Sequence, residues 1–320
     1  MPQPLSVTTR LIILMVFAVI FAATMIGLSI KTRTLDNTER VLLGNDKNIE
    51  KTFTVQPDGQ LNIQTDVGNI SVKGTESNEV SIRVMARGSE EELGKFDVSL
   101  DQNGNNVDVK GKMKRSHFRF FDNHWLEIQY EIQVPKSYNL NLHTSGGNIE
   151  INSVKGKIEG ETSGGNLELS ELEGNVRLST SGGNVNIEKS SGDFNLETSG
   201  GNMYGESITG PLQMETSGGN IEIKNGDGKV RASTSGGNIH AYMKDNKGID
   251  LSTSGGNIVV RVPKSITADV QAEASGGDVN CDLEYTGKIK DGSMKGKING
   301  GGNLIRLETS GGDIVIDPND

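Results

Sequence analysis

Cysteine is nearly absent. Cys281 is the only one in 320 residues, so no internal disulfide can brace this chain or report its compartment. Histidine is almost as sparse, and His117, His124, His143 and His240 are scattered through the sequence. No nucleophile–base pair, zinc-ligand spacing or phosphate loop accompanies them, so no catalytic residue, metal site or cofactor is expected. Aromatic residues make up only 4% and hydrophobic residues 33%, which leaves material for thin apolar layers rather than one thick core. Helical spacing of apolar residues is missing from most of the chain.

What is abundant is glycine, 42 residues of it, much of it in one motif. Ser-Gly-Gly followed by Asn or Asp begins at Ser145, Ser163, Ser181, Ser199, Ser217, Ser235, Ser254, Ser275 and Ser310, with Gly301-Gly302-Asn303 as a worn copy. The first six are 18 residues apart, and the next two steps are 19 and 21. Fixed self-similarity means a solenoid, whose repeats bury their apolar faces only by stacking. Within one period, Ile149 and Ile151 alternate with Asn148 and Glu150; after a turn at 152–156, Ile158, Gly160 and Thr162 alternate with Glu159 and Glu161. That period of two is the strand signal. The expected fold is all-β, a parallel β-solenoid of two-strand, 18-residue coils. Coils about 4.8 Å apart would make the seven from Ser145 to Val262 a rod roughly 30–35 Å long.

Parity fixes the register. One inward column reads Ile149, Leu167, Val185, Met203, Ile221, Ile239, Ile258, and the next Ile151, Leu169, Ile187, Gly205, Ile223, Ala241, Val260. The facing strand supplies Ile158, Val176, Phe194, Leu212, Val230, Ile249, and Gly160, Leu178, Leu196, Met214, Ala232, Leu251. A one-residue slip would expose all of them. Thr144, Thr162, Thr180, Thr198, Thr216, Thr234 and Thr253 share this parity, so their hydroxyls are expected to bond the turn backbone and the hydroxyl of the next coil. Gly146-Gly147 and its copies are expected to supply positive φ, and the asparagines an amide ladder. The motif thus reads as turn chemistry. Calcium-binding rolls need carboxylates in both turns, and ice-binding solenoids need outward threonines; neither pattern is present. Outward, Glu150, Glu168, Glu188, Glu206 and Glu222 line one sheet and Glu159, Glu161, Glu197 and Glu215 the other, a solvated acidic surface interrupted by Asn186, Lys224, Ser179 and Ser233.

Leu11 to Ile30 is a 20-residue apolar run without charge, flanked by Arg10, Lys31 and Arg33. Its length suits an N-terminal transmembrane helix better than a signal h-region, although Gly27 and Ser29 leave a cleaved signal as the alternative. The expected organisation is an N-terminal segment at 1–10, the membrane helix at 11–30, a polar linker at 31–46, an irregular β cap at 47–142, the regular solenoid at 143–262, and degenerate coils with a cap at 263–320. Leu61, Ile63 and Thr65 before Gly68-Asn69-Ile70-Ser71-Val72 form one early coil, and Ser89 to Leu93 a helical turn. Cys281 shares the parity of Val279 and Leu283, which places it in the core as an inert thiol.

Lys112, Lys114, Arg115, Phe118, Arg119, Phe120 and Trp125 concentrate basic and aromatic residues in a chain of net charge −10. The preferred reading packs Phe118, Phe120 and Trp125 over the end of the core. The alternative is a contact surface for anionic lipid headgroups or teichoic-type polymer. A membrane-tethered domain makes nucleic acid an unsuitable partner.

The run Ile132-Gln133-Val134-Pro135-Lys136-Ser137 leading to Thr144-Ser145-Gly146-Gly147-Asn148-Ile149 resembles the bacterial family of "putative adhesins" with β-strand repeats, a domain of unknown function. Arg261-Val262-Pro263-Lys264-Ser265 before Ser275-Gly276-Gly277-Asp278-Val279 repeats the pattern, and the resemblance runs from about Asn48 to Asp317. It implies a cell-envelope β-solenoid, often membrane-tethered and sometimes tied to envelope-stress systems, with no established catalytic residues. The expected function is therefore non-enzymatic: a membrane-anchored bacterial envelope protein, its β domain periplasmic or extracellular, that serves as an adhesin or surface-binding protein, with an envelope polymer, lipid or protein as its partner. A structural or sensory envelope protein that recognises lipid, peptide or polymer in an envelope-stress system is the alternative.

Overall fold

The computed structural model describes residues 38–42, 48–114 and 126–319. Among these the protein is all-β, with two sheets of 15 and 13 strands facing each other across a single apolar layer. The expected membrane helix at Leu11–Ile30 and the flanking segment 1–10 lie outside the described residues, and no helix among the described ones is long and apolar enough to cross a membrane.

In the regular part, each coil contributes one strand to each sheet. Sheet 1 stacks Asn139–Thr144, Lys155–Thr162, Glu173–Thr180, Ser191–Thr198, Leu212–Thr216, Val230–Thr234 and Ile249–Thr253 in parallel. Sheet 2 stacks Ile149–Asn152, Leu167–Ser170, Val185–Glu188, Met203–Glu206, Ile221–Gly226, Ile239–Met243 and Ile258–Val262. The register is that of the inward columns, so Ile149 pairs with Leu167 and Ile158 with Val176, and all four are fully buried. Where a column reaches Gly205, Leu212 and Met214 of the facing sheet come within 3.7 Å of where its Cβ would stand. The flexible methionine fills the volume that the glycine leaves.

The two corners of a coil use different chemistry, and not the chemistry the motif suggested. Thr198 Oγ1 donates to the Gly183 carbonyl of the preceding coil at 2.8 Å and accepts from Gly201 N–H at 3.3 Å. No hydroxyl chain runs along the rod. Coils about 4.8 Å apart hold equivalent hydroxyls beyond hydrogen-bond reach, whereas the turn backbone lies within it. Likewise the asparagines form no amide–amide ladder: Asn184 Oδ1 accepts the backbone N–H of Asn202 at 2.8 Å, and the same bond recurs from Asn148 to Asn257. Corner amides have no strand partner, so the side chain supplies one. Positive φ is also not the general reason for the paired glycines. Of the second glycines from Gly147 to Gly256, only Gly147 has it, at 148°. The left-handed residues are at the opposite corner, where Ser153, Glu171, Lys189, Ser207 and Asn225 have φ between 49° and 58°.

Both ends depart from simple stacking. The early coil, Gln60–Thr65 and Asn69–Thr75, lies directly against Asn139–Thr144 and Ile149–Asn152. On its other side come Asn106–Met113 and Leu126–Pro135 in parallel. Antiparallel strands Phe96–Asn103, Glu79–Gly88 and Asn48–Thr54 then close that end. Thr38–Leu42, read from its polarity as linker, pairs antiparallel with Phe96–Asn103. Where the sequence suggested a helical turn, a short helix runs over Glu90–Leu93, and Ser89 caps it. At the C-terminal end, the chain folds back on itself. Asn303–Thr309 and Ile314–Pro318 insert between the coil ending at Val262 and the strands Ala268–Ala274 and Val279–Cys281. The corner of this last coil is Ser310-Gly311-Gly312-Asp313. Gly301-Gly302-Asn303 is no worn copy of it, because it precedes the sheet-1 strand at the other corner. Cys281 is half-buried rather than buried, and burial raises its thiol pKa.

Candidate functional site

With the side chains of alternate residues buried, the outward face of sheet 1 is written by the other alternate residues, one row per coil. Beside the Ser-Gly-Gly corner the rows carry Glu161, Ser179, Glu197, Glu215 and Ser233. With the corner serines from Ser163 to Ser235 they line a groove of about 570 Å³ that crosses five coils. Gln213 Nε2 donates to Glu215 Oε1 at 2.8 Å, and Glu161 lies 3.5 Å from His143. The Glu197 side chain is exposed and makes no ion pair or hydrogen bond among the described residues.

Two residues earlier in each strand the character changes. Arg177, Asn195, Gln213 and Arg231 stand in one column, with Asn175, Asp193, Pro211 and Lys229 beside them, around a cleft of about 360 Å³. Arg231 is held by Asp250 at 2.9 Å. Arg177 and Lys229 are exposed and have no ion-pair partner among the described residues. Asn195 Oδ1 is shielded and makes no hydrogen bond. With Arg231 neutralised by Asp250, Arg177 and Lys229 against Asp193 leave the cleft a small excess of positive charge, in a chain of net charge −10.

On sheet 2 the expected acidic columns are broken by their own partners. Asn186 Nδ2 donates to Glu168 at 2.9 and 3.1 Å, Tyr204 donates to Glu206 at 2.5 Å, and Lys224 pairs with Glu222 at 2.9 Å. Desolvation and the bonded Glu206 together push the Tyr204 hydroxyl pKa up. His143 faces outward from sheet 1 and His240 from sheet 2, so these two do not meet. Among the described residues no three His, Cys, Asp or Glu side chains converge on a common point where a metal ion would fit.

Of the basic–aromatic stretch, Lys112 and Lys114 are described. Lys112 sits opposite Asp97, and Lys114 is 3.0 Å from Asp97 Oδ1 and 3.3 Å from the Gly94 carbonyl. Arg115, Phe118, Arg119, Phe120 and Trp125 lie outside the described residues. No sequence motif marks the basic cleft on sheet 1, because its cations are single residues separated by whole coils. Reading the outward columns for cations places Arg177 and Arg231 three coils apart on one face.

The chain is similar to several crystal structures at low identity. A "putative adhesin" from Bacteroides fragilis is 15% identical, covers 85% of this chain and 97% of its own, and has a TM-score of 0.42. A "putative adhesin" from Parabacteroides merdae is 14% identical over 87% and 98% of the two chains, with a TM-score of 0.41. A "putative lipid binding protein" from Parabacteroides distasonis is 13% identical over 87% and 98%, with a TM-score of 0.31. These likenesses are too distant to carry a function over. No curated protein matches the sequence. Residues 59–317 match the sequence model of the Toastrack DUF4097 family, and the chain therefore belongs to that family.

Proposed function

We propose that this chain is a non-enzymatic binding protein of the bacterial cell envelope, tethered to the membrane through Leu11–Ile30, with its solenoid outside the cytoplasm. It acts in adhesion or surface attachment through the outer face of sheet 1. The observation that carries this reading is the groove over five successive coils, which offers hydroxyl and carboxylate groups at a spacing of about 4.8 Å. The groove is lined from one face of one sheet and does not enclose a small molecule. It matches a ligand that is itself extended and repetitive. Envelope sensing through Lys112 to Trp125 is the second reading, and it has less behind it because Lys114 is already paired with Asp97.

The test is deletion of Ser181–Thr234 from the full-length protein. These residues are three whole 18-residue coils, and joining Thr180 to Ser235 restores the Thr-Ser-Gly-Gly sequence at the junction. The shortened solenoid is expected to fold and to lose binding to whole bacterial cells or matrix. Undiminished binding by the deletion variant overturns the proposal.

A further inference from the structure

We infer that the outer face of sheet 1 is built for a zwitterionic, hydroxyl-rich polymer, one that carries anionic groups and ammonium groups along the same chain. This rests on the surface-binding reading above and names the class of ligand. The basis is the arrangement of charge. The basic cleft, whose unpaired cations are Arg177 and Lys229, and the acidic groove (Glu161, Glu197, Glu215) run side by side along the same strands. They are offset by two residues, about 6.6 Å.

Neighbouring opposite charges on a sheet ordinarily satisfy each other across strands. Here several do not. Arg177 and Lys229 on one side and Glu197 on the other make no ion pairs among the described residues, although Arg177 and Glu197 belong to adjacent coils and are diagonal neighbours. A purely anionic polymer that filled the cleft would run along a row of carboxylates. A purely cationic one in the groove would run along the arginines. A chain with both kinds of charge, spaced by about the offset of the rows, satisfies both at once, and potentials matched in this way determine which partner binds. Arg177 can grip a phosphate or carboxylate in a fork, and Lys229 acts as a point charge from the other end of the cleft.

The remaining groups ask for hydroxyls. The corner serines from Ser163 to Ser235 line the groove and both donate and accept hydrogen bonds. On the cleft floor Asn195 has an unengaged carboxamide oxygen, and its terminal torsion is soft enough to turn it towards a ligand hydroxyl.

The experiment compares three immobilised polymers against the full-length protein: poly(glycerol phosphate) esterified with alanine, the same polymer after mild alkaline removal of the esters, and neutral dextran. The esterified form carries phosphate, ammonium and hydroxyl groups, the second lacks ammonium, and the third lacks all charge. Expected is binding to the esterified polymer, at least tenfold weaker binding once the esters are removed, and none to dextran. Glu197→Gln should erase the difference between the first two, whereas Arg177→Gln with Lys229→Gln should weaken both at least tenfold. Equal binding with and without the ammonium groups, or an unaffected Arg177/Lys229 variant, overturns the inference. If neither charged polymer binds intact protein while deletion of Ser181–Thr234 still abolishes attachment to cells, the ligand class falls and the surface-binding reading stands.

Discussion

Thr198 shows how much one small side chain settles. Its hydroxyl is buried, donates to the Gly183 carbonyl of the coil before and accepts from Gly201 in its own corner. Replacing it with valine keeps the shape and removes both bonds, which leaves a buried carbonyl and amide short of partners at roughly 1–3 kcal/mol each. Thr198→Val is therefore expected to cost about 2–6 kcal/mol. Thr198→Ser, which loses only a methyl group, should cost about 1 kcal/mol. Urea unfolding of the two variants measures the difference, and a valine variant no less stable than the serine variant would show that the hydroxyl contributes no more than the methyl. At the N-terminal end the two buried tyrosines set a pH limit. Burial pushes Tyr138 up to about 12, and Tyr130 is shifted in the same direction. A tyrosine in the unfolded chain ionises near 10. The folded state holds its protons longer, so their contribution is complete below pH 10 and falls away as pH rises towards 12. Urea midpoints followed from about pH 9 upwards should decline, and less steeply in Tyr138→Phe. Parallel profiles for wild type and variant would show that Tyr138 is not the titrating group.

At the scale of the coil, the glycine pair separates two roles that the sequence shows as one. A Cβ on Gly183 would stand 2.0 Å from the Gly165 carbonyl, whereas one on Gly182 would meet nothing closer than 3.8 Å. Gly183→Ala should lose more than about 4 kcal/mol or fail to fold, and Gly182→Ala should change stability by less than about 1 kcal/mol. Similar losses at both positions, measured by thermal or urea unfolding, would refute clearance as the reason for the second glycine. This is also where sequence reading reached its limit. The inward columns were fully legible, because alternation has a period of two and one buried face leaves a single register. A repeated Gly-Gly, by contrast, is equally consistent with a left-handed backbone and with a carbonyl passing overhead. Only the neighbouring coil distinguishes them. The left-handed corner was hidden for the complementary reason: its residues, Ser153, Glu171, Lys189, Ser207 and Asn225, share no chemistry that marks them. The candidate site was legible as columns of outward residues. Its division into an acidic and a basic row emerges only when the rows are set side by side.

For the whole stack, what the sequence withheld was order. Parity allows Ala268–Ala274 to pair directly with Ile249–Thr253, and a stack following the chain would satisfy every inward column. Instead Asn303–Thr309 lies between them, with Ile305 against both Ile249 and Val270 and Leu307 against both Leu251 and Ala272. Polar groups at the coil edges bond only in this arrangement's order of strands, with Asn246, Asn303 and Asn319 as the partners. Asn246 Nδ2 donates to the Asn303 carbonyl at 2.6 Å, Asn303 Nδ2 returns a bond to the Asn246 carbonyl at 2.9 Å, and Asn319 Nδ2 reaches the Met243 carbonyl at 2.8 Å. At the corner, Asp313 N–H donates to Asn257 Oδ1 and Asp278 N–H to Asp313 Oδ1, both within 2.9 Å, which continues the asparagine relay through the inserted coil. The last residues of the chain thus hold the preceding segment in place, and each repeat of a solenoid is stable only through its neighbours. Removing residues 303–320 should therefore strip protection from amides in 263–302 while the coils from Asn139 to Thr234 keep theirs, as read by hydrogen exchange. Retained protection in 263–302 would mean that the shortened chain stacks in sequence order, and that the edge asparagines do not decide the topology.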